Sequence, residues 1–514
     1  MKSTVEPDWE ALGKRWWSHV QFLADDALEG RDTGSPGYEK AADYMSEQFR
    51  AAGLAPGGVG GYRQPMDLDV VRIDESRCNL QLVQDGRAEP LELGEDALMG
   101  VRSQADQDVD ARATFAGYAL TIPESNHDDL ADPEVKGKIV VFMGGGPSEI
   151  SGPVSAHYQS LEQRRRAFQK AGAIGGILIE NPKGAEVPWS LMASFRFQPN
   201  MVLRDPGDEV APPLRLEVLF NTERAGKLFA GSGHSFEEVL SAVHADRPLP
   251  HFPLAVSIRA RVGTTRSQVK SENVIGVLQG SDPDLQHEYV IISAHLDHIG
   301  IGEPINGDRI NSGAMDDASG DASLIEIARS LRESGTRPKR SILFLSVTGE
   351  EKGLLGSQYF AAHPTVPGRL VADLNMDMFL PLFPFKYLEV QGLAESSLGD
   401  DVRAVAETAG VTVQADKQPE HNRFIRSDQY SFIKKGVPAL SFKFGFIPGS
   451  LEGELFKAWY AHRYHTPSDD LEQPVDLVAA AQFNAVLEKL ALRIANADRR
   501  PEWKGASFFR RFAT

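Results

Sequence analysis

Apolar and polar positions after about residue 251 follow two different spacings, which together predict an α/β sheet. Three short runs are almost wholly apolar, as is typical of buried parallel strands: residues 289–294, 341–347 and 371–376. Between the first two runs, apolar residues recur at the i, i+3, i+4 and i+7 spacing of a helix: Leu324, Ile327, Ala328 and Leu331. This spacing predicts a helix over 321–334 that packs one face on the sheet. Strands that alternate with helices indicate an α/β fold.

Two further segments have helical spacing of apolar residues, and one long region has short strand-like runs instead. Apolar positions between 37 and 53 predict an amphipathic helix that ends at Gly53, and residues 475–495 predict a long helix. From 101 to 244 the chain has short strand-like runs separated by turns, clearest at 136–142 and 175–179. This change in pattern predicts a small domain at 101–245. It would interrupt a main domain made of residues 1–100 and 246–514.

Length and charge narrow the class of protein. A chain of 514 residues exceeds the size that one hydrophobic core usually serves, which agrees with two domains. The formal net charge of −18 argues against nucleic-acid binding, which needs clustered Lys and Arg. Because Cys78 is the single cysteine, the chain holds no intramolecular disulfide and no thiolate cluster. Any metal ion would therefore be held by histidines and carboxylates.

Compartment is only loosely constrained by the sequence. No stretch of about 18 apolar residues exists, so we predict no membrane span and no membrane partner. Residues 1–9 lack the apolar core of a leader, which predicts the mature end of a secreted or periplasmic protein, with a cytoplasmic location as the alternative. The oligomeric state stays open.

Residue types that bind metals follow each of the three apolar runs. His295 comes after the first, the pair Glu350 and Glu351 after the second, and Asp377 after the third. Open α/β sheets bind ligands at the carboxyl ends of their strands, so these side chains are expected at one edge. Adjacent carboxylates point in different directions, so one can bind a metal while the other handles protons.

Two local patterns add to this constellation. Asp297 stands two residues after His295, where its carboxylate could accept the second N–H of the imidazole and fix its tautomer. Asp316 lies in a loop flanked by Gly313 and Gly320, just before the predicted helix. Both positions are suited to a metal site at the sheet edge.

The order of motifs resembles a known family. The motifs are His-Leu-Asp at 295–297, Gly-Ala-Met-Asp-Asp-Ala-Ser-Gly at 313–320, Gly-Glu-Glu-Lys-Gly-Leu-Leu-Gly-Ser at 349–357, Asn-Met-Asp at 375–377, Arg-Ser-Asp at 426–428 and Tyr-His-Thr-Pro-Ser-Asp at 464–469. Together they resemble the bacterial dizinc aminopeptidases of metallopeptidase clan MH, relatives of plasma glutamate carboxypeptidase and glutaminyl cyclases. The resemblance covers 23–53 and most of 273–495.

The resemblance implies a three-layer α/β/α mixed-sheet zinc exopeptidase fold with two Zn²⁺ per chain. In it Asp316 bridges both ions, Glu351 and His465 complete one site, and His295 and Asp377 complete the other. Such histidine and carboxylate ligands suit hydrolytic zinc. The resemblance also implies a cis peptide bond between Asp316 and Asp317.

Roles around the ligands are implied in the same way. Glu350 would be the general base that takes a proton from the attacking water, and Tyr464 would hydrogen-bond the oxyanion. Arg426 would contact substrate, and Asp428 would support the ligands from behind. The family usually has His after this Asp, whereas this chain has Gln429. His298 matches no ligand position, and we predict a hydrogen-bonded structural role for it.

The region from 101 to 245 resembles the protease-associated domain, an insertion that does no chemistry. The resemblance rests on residues 115–118, the run at 136–142, and residues 170–177. The turn between the two clearest strands is expected at 144–146.

The predicted activity is removal of an apolar N-terminal residue from peptides with a free amine. A dipeptidase, a carboxypeptidase-like enzyme or a glutaminyl cyclase would reuse the same ligands, and fold analogy cannot separate them. A non-catalytic interaction module is disfavoured because every ligand is present. The apolar run at 379–385 would either line a substrate pocket or pack in the core, and residues 508–512 are expected to form a docking tail.

Overall fold

The computed structural model describes residues 7–100, 106–184, 187–208 and 210–513. Its strands, numbered along the chain, are β1 (Ala55–Pro56), β2 (Arg63–Ile73), β3 (Asn79–Gln84), β4 (Arg87–Pro90), β5 (Ala97–Gly100), β6 (Gln107–Ala116), β7 (Thr121–Ile122), β8 (His127–Asp128), β9 (Ile139–Met143), β10 (Gly175–Ile179), β11 (Asn200–Leu203), β12 (Leu216–Phe220), β13 (His251–Val262), β14 (Thr264–Leu278), β15 (Glu288–His295), β16 (Gly300–Ile305), β17 (Asp308–Asn311), β18 (Ser341–Val347), β19 (Arg369–Asn375), β20 (Tyr387–Gln391), β21 (Thr412–Ala415) and β22 (Ala439–Phe444). Its α-helices are α1 (Trp9–Leu23), α2 (Pro36–Ala51), α3 (Gly152–Gln159), α4 (Leu161–Ala171), α5 (Trp189–Ser194), α6 (Gly226–Phe229), α7 (Phe236–His244), α8 (Ser319–Ser334), α9 (Leu355–Ala362), α10 (Leu398–Thr408), α11 (Gln429–Ile433), α12 (Leu451–His462) and α13 (Leu477–Asn496).

The larger sheet has ten strands and a parallel centre. Its order is β11-β2-β14-β18-β15-β19-β22-β20-β21, with β1 paired to β14. Strand β15 runs parallel to β18 and β19, and β19 runs parallel to β22. The next pairs outward, β14 with β18 and β20 with β22, are antiparallel. The sheet is therefore mixed, as the resemblance implies.

Helices cover both faces of this sheet. Every residue of β15 is buried, which explains its continuous apolar run. Val290 and Ile292 belong to a core shared with α1, α2, α8 and α13, whereas Ile291 belongs to a second core that includes residues of α9 and α11. The three-layer α/β/α architecture is confirmed.

The three helices predicted from apolar spacing are present. The predicted face of α8 is buried at all four positions, and the helix ends at Gly335 in the left-handed region. Ser35 and Asp476 cap the N-termini of α2 and α13 by accepting backbone N–H groups, which is why these helices begin where they do.

A second sheet of eight strands has its own core. Its order is β4-β3-β13-β6-β9-β10-β12-β5, with parallel pairing between β6, β9, β10 and β12 and a separate cluster of buried apolar residues. We call residues 79–262 the second-sheet unit. It extends on both sides beyond the predicted 101–245, and the predicted start at 101 lies outside the described residues. Strand β11 crosses back and pairs with β2 of the large sheet.

The C-terminal tail docks on the large domain, as predicted. Phe509 is fully buried, and its ring packs against Phe424 and Trp503 at centroid distances of 5.4 and 5.9 Å. Nearby, Nδ1 of His157 in the second-sheet unit lies 2.6 Å from the hydroxyl of Tyr430. Within the described ranges, no helix combines the length and apolarity needed to cross a bilayer.

Most of the apolar run at 379–385 packs in the core, with Pro384 exposed, so the core-packing alternative is confirmed. Phe379 is fully buried and stacks on Phe483 of α13 with centroids 4.2 Å apart. Phe385 stacks on Phe444 of β22 at 4.7 Å. Apolar composition alone cannot tell a pocket wall from a core, and here α13 covers the run.

Candidate metal centre

The predicted ligand side chains meet at the carboxyl edge of the large sheet. His295 is the last residue of β15, Glu351 follows β18, and Asp377 follows β19. Asp316 lies in the turn before α8, and His465 lies in the loop after α12. Five separate segments of the chain therefore converge on one point.

Asp316 stands between two groups of ligand-type atoms. Its Oδ1 is 3.1 Å from Nε2 of His295, and that nitrogen is 3.7 Å from Oδ1 of Asp377. Its Oδ2 is 3.1 Å from Nε2 of His465, and that nitrogen is 3.3 Å from Oε1 of Glu351. Each oxygen of one carboxylate thus faces a different histidine–carboxylate pair.

These atoms have the chemistry and spacing that zinc requires. The ligand atoms of a tetrahedral zinc site lie about 3.3 Å apart, because Zn–N and Zn–O bonds measure about 2.0–2.1 Å. Asp316 Oδ2, Glu351 Oε1 and Asp377 Oδ1 are also buried without a hydrogen-bond partner among the described residues. Unpaired buried carboxylate oxygens are costly unless a cation compensates them, so the residues present fit divalent zinc.

The charges of the carboxylates dominate the titration of both histidines. Burial lowers the pKa of His465, but Glu351 and Asp316 outweigh this effect and raise it to about 10. Burial also lowers the pKa of His295, but the neighbouring Asp316 and Asp377 carboxylates outweigh this effect and raise it well above its ordinary value. The ligand-type carboxylates therefore favour a bound cation at this point of the site.

His298 stands much closer to this centre than sequence reasoning expected. It is fully buried, and its Nδ1 lies 2.8 Å from Oε1 of Glu351 and 3.9 Å from Oδ2 of Asp316. Among the described residues, two groups have ligand atoms close enough to hold an ion: His298, Asp316 and Glu351 form one, and His295, Asp316 and Asp377 form the other. The structural role predicted for His298 therefore needs an experimental test.

The expected contact between the Asp297 carboxylate and His295 is wrong. Nδ1 of His295 lies 3.0 Å from the backbone carbonyl oxygen of Asp297, so the main chain orients the imidazole. The Asp297 carboxylate instead accepts the backbone N–H of Glu350 at 3.1 Å and the hydroxyl of Thr33 at 3.0 Å. The backbone turn after β15 brings the carbonyl, not the carboxylate, under the ring.

Two aspartates fix the turn that carries Asp316. Oδ2 of Asp469 accepts the backbone N–H of Asp316 at 3.0 Å, and its Oδ1 accepts that of Met315 at 2.9 Å. Asp317 accepts the backbone N–H groups of His295 and Met378 at 3.2 Å each. The peptide bond between Asp316 and Asp317 is cis, as the resemblance implies.

Glu350 lies in the cavity but outside both groups of ligand-type residues. Burial raises the pKa of its carboxyl well above the ordinary value, and the neighbouring His295 partly offsets this rise. Its backbone is held by Asp297, as described above. Glu350 is thus positioned to exchange protons without occupying a metal-ligand position.

Of the other predicted site residues, Tyr464 and Arg426 line the cavity of about 60 Å³ at the ligands, and Asp428 does not. Tyr464 lines it and stacks on the His465 ring with centroids 3.9 Å apart, and Arg426 lines it from the opposite segment. Asp428 is buried behind the cavity, and burial raises its pKa to about 7. Gln429 stands where the family usually has His. Its side chain accepts a 2.7 Å hydrogen bond from Asn375, which lies two residues before Asp377.

Two residues near the site escaped sequence reasoning. Lys443 is buried in the cavity wall, and its Nζ donates to the backbone carbonyls of Asp377 and Met378 at 3.2 Å each. Phe195 of the second-sheet unit packs edge-on against the His465 ring with centroids 5.8 Å apart. No local pattern marks either residue, since each contact joins distant segments.

Comparisons with known proteins agree with this geometry. Residues 273–491 match the sequence model of Peptidase family M28. Aminopeptidase NAALADL1 of Mus musculus is 35% identical over 152 residues, which cover 28% of this chain and 18% of that protein. Aminopeptidase YwaD of Bacillus subtilis (strain 168) is 27% identical over 230 residues, which cover 42% of this chain and 45% of that protein. The chain spans less than half the length of these curated relatives.

Among solved structures, an aminopeptidase from Aneurinibacillus sp. strain AM-1 superposes with a TM-score of 0.57 and 20% identity. The match covers 96% of this chain and 95% of that one, so the fold is shared along nearly the whole length. The family match spans the segment that carries His295, Asp316, Glu351, Asp377 and His465. Residues 273–491 are therefore similar to peptidase family M28 over the segment that carries all five of these side chains.

Proposed function

We propose that this chain is a zinc-dependent exopeptidase that removes the N-terminal residue from peptides. The observation that carries the proposal is Asp316, whose two oxygens each face a histidine–carboxylate pair 3.1 Å away. Two Zn²⁺ per chain would be held there, one by His295 and Asp377 and the other by Glu351 and His465, with Asp316 shared. The aminopeptidase names of the relatives support the same reaction class.

The side chains around the ligands suggest how hydrolysis proceeds. Zinc held by such ligands supplies a Lewis acid that makes water a nucleophile near neutral pH. Glu350 accepts the proton of the attacking water at its carboxylate and returns it to the leaving amine. The hydroxyl of Tyr464 donates a hydrogen bond to the oxyanion that develops on the scissile carbonyl. Asp297 holds the Glu350 backbone, and Asp428 supports the site from behind.

The substrate end is inferred from charge and from shape. A free α-amine is cationic at neutral pH and suits a cavity lined by Glu350, Glu351 and Asp377. The cavity is small, which favours a chain end over a continuous chain. Met378 and Tyr460 also line it, and we propose that they favour an apolar first residue. That preference is modest, because one methylene changes binding by about 1–3 kcal/mol.

We also propose that the second-sheet unit is a protease-associated insertion in the peptidase domain. The chain enters it from β2 and returns to β14, and these two strands pair with each other in the large sheet. It supplies none of the proposed ligands.

One observation favours a second candidate function. Arg423, Arg426 and Lys443 line the cavity beside the carboxylates, and such cations could bind a free substrate carboxylate. A carboxypeptidase-like enzyme or a dipeptidase would use these cations to hold the terminal carboxylate of its substrate.

The experiment that tests the proposal compares leucyl-p-nitroanilide with its N-acetylated counterpart. Acetylation removes the positive charge that the site is proposed to bind and adds bulk at a closed end. We expect hydrolysis of the free amine only. Equal hydrolysis of both compounds, or release of carboxyl-terminal residues alone from a peptide, would contradict the aminopeptidase assignment and leave a metallohydrolase.

A further inference from the structure

A large groove separates the second-sheet unit from the peptidase domain beside the metal centre. Its volume is about 850 Å³, within the range of ligand-binding clefts, whereas the cavity at the ligands measures only about 60 Å³. Arg426 lines both spaces, so the groove adjoins the cavity at this residue. A substrate held by its first residue must send the rest of its chain out of the small cavity, and the groove is the large adjoining space that could receive it.

Both walls of the groove present hydrogen-bonding groups. Asn181 and Gln159 line it on the side of the second-sheet unit, and Gln358 and Asn422 line it on the side of the peptidase domain. The two walls are joined where Nδ2 of Asn422 donates to Oε1 of Gln159 at 3.3 Å. Nδ2 of Asn181 and the side-chain amide of Gln358 make no hydrogen bond to a described residue, so they can pair with the C=O and N–H groups of a peptide main chain.

The loop at 144–146 adds main-chain groups to the same wall. Three consecutive glycines line the groove, and Gly145 has a φ of +90°. A Cβ atom at Gly146 would lie 2.7 Å from Oγ of Ser155, so a side chain there would collide with α3. The backbone N–H groups of Gly145 and Gly146 donate to no other described residue. A side-chain-free loop with unused N–H groups allows close approach by a ligand backbone.

We propose that this groove binds the main chain of the substrate on the carboxyl-terminal side of the scissile bond. The preferred substrates are then oligopeptides of varied sequence, and amino-acid amides and dipeptides are poor substrates. This inference rests on the proposed aminopeptidase function and assigns the second-sheet unit a part in substrate binding. Recognition through main-chain groups gives affinity with little dependence on the downstream side chains.

The test is a length series of substrates with the same N-terminal residue. Leucyl-p-nitroanilide, leucyl-glycinamide and the amides of Leu-Gly-Gly through Leu followed by five glycines are compared by kcat/KM for leucine release. Amidated ends remove the influence of a terminal carboxylate. We expect kcat/KM to rise at least tenfold from the dipeptide amide to the hexapeptide amide in the native enzyme.

Two variants of one residue show whether the groove causes this rise. Gln358 lies on α9, is half-buried, and makes no side-chain hydrogen bond to a described residue, so its replacement breaks no such bond. Gln358→Trp fills the groove and is expected to abolish the rise while kcat/KM on leucyl-p-nitroanilide stays within twofold. Gln358→Ala removes one hydrogen-bonding group but leaves the groove open, so it should keep most of the rise.

The outcomes separate the two proposals. Hydrolysis of short and long substrates at equal kcat/KM in the native enzyme would overturn the groove proposal and leave the aminopeptidase function intact. A rise that persists in Gln358→Trp would overturn it as well. Failure to hydrolyse any free-amine substrate would instead refute the proposed function. If Gln358→Trp does not fold, Gly152→Trp replaces it, because Gly152 lines the same groove from the opposite wall and an added Cβ there meets only Pro419 Cβ, at 3.8 Å; it should likewise abolish the rise.

Discussion

The carboxyl edge of the large sheet and the second-sheet unit reach the same cavity by different means. The sheet edge delivers His295, Glu351 and Asp377 from the ends of three neighbouring strands, so the fold itself brings them together. The second-sheet unit reaches the site only through tertiary packing, with Phe195 against the ring of His465. The strand ends therefore supply most of the ligand-type side chains, whereas the packing of the second-sheet unit determines how the cavity is covered. The predictions below separate these two contributions.

The largest effect is expected at Glu350, which belongs to the sheet-edge region. Glu350→Gln removes the proton acceptor while it keeps the size of the side chain, so kcat should fall by about 10²–10⁴-fold with zinc content unchanged. Turnover of leucyl-p-nitroanilide and metal analysis check this. Glu351→Gln is the matched control, and it should lose metal. If Glu350→Gln lost its metal, the roles of the two residues would be exchanged.

The second comparison concerns His465 and His298, which both approach Glu351 and Asp316. We expect His465→Ala to reduce bound zinc from about two ions to about one, because it removes a proposed ligand. His298→Ala should retain both ions with affinity weakened by about 10–100-fold, as for a residue that orients ligands. Metal titration of both variants measures this. The opposite pattern would make His298 the ligand.

Acid should weaken the contact between the second-sheet unit and the large domain. Burial lowers the pKa of His157 to about 4 from its ordinary 6.5, with a smaller contribution from Arg511. The imidazole of His157 binds a proton more readily in the unfolded chain than in the folded one. The folding stability present above pH 6.5 is therefore lost as the pH falls toward 4. The contribution is about 2 kcal/mol between pH 7 and pH 5. Urea unfolding at both pH values should show a smaller loss in His157→Phe than in the native protein. An unchanged loss would rule out His157 as the cause.

The smallest effect is expected at Phe195. An edge-to-face aromatic contact contributes about 0.5–1.5 kcal/mol, so Phe195→Ala should lower kcat/KM by about tenfold or less and leave zinc content unchanged. Phe197→Ala is the control, because that ring is 40% exposed two residues further along the chain. Equal effects of the two substitutions would mean that the contact with His465 has no specific role.

The two regions also differ in how far the sequence predicts them. His295 and Asp377 could be predicted together because apolar runs mark strands, and the carboxyl ends of parallel strands meet at one edge. The pair Glu350 and Glu351 followed from the same reasoning, and Asp316 from its glycine-flanked loop, whereas His465 and the role of each residue came from the resemblance. The two periodicities predicted an α/β sheet, and the three-layer arrangement came from the resemblance.

Orientation and distant contacts could not be predicted in this way. Sequence spacing placed Asp297 beside His295, but the backbone turn decides that its carbonyl makes the contact. Phe195 and His465 lie far apart in the sequence, and nothing local to either residue signals that their rings meet. The apolar run at 379–385 is compatible with pocket or core until the position of α13 is known.

The central claim is that two zinc ions share Asp316, and metal stoichiometry tests it most directly. Elemental analysis of the purified protein, before and after dialysis against a chelator and again after zinc is restored, should be paired with assays on leucyl-p-nitroanilide. We predict about two zinc ions per chain, loss of activity with the metal, and recovery when zinc is returned. Full activity in a metal-free preparation would contradict the account.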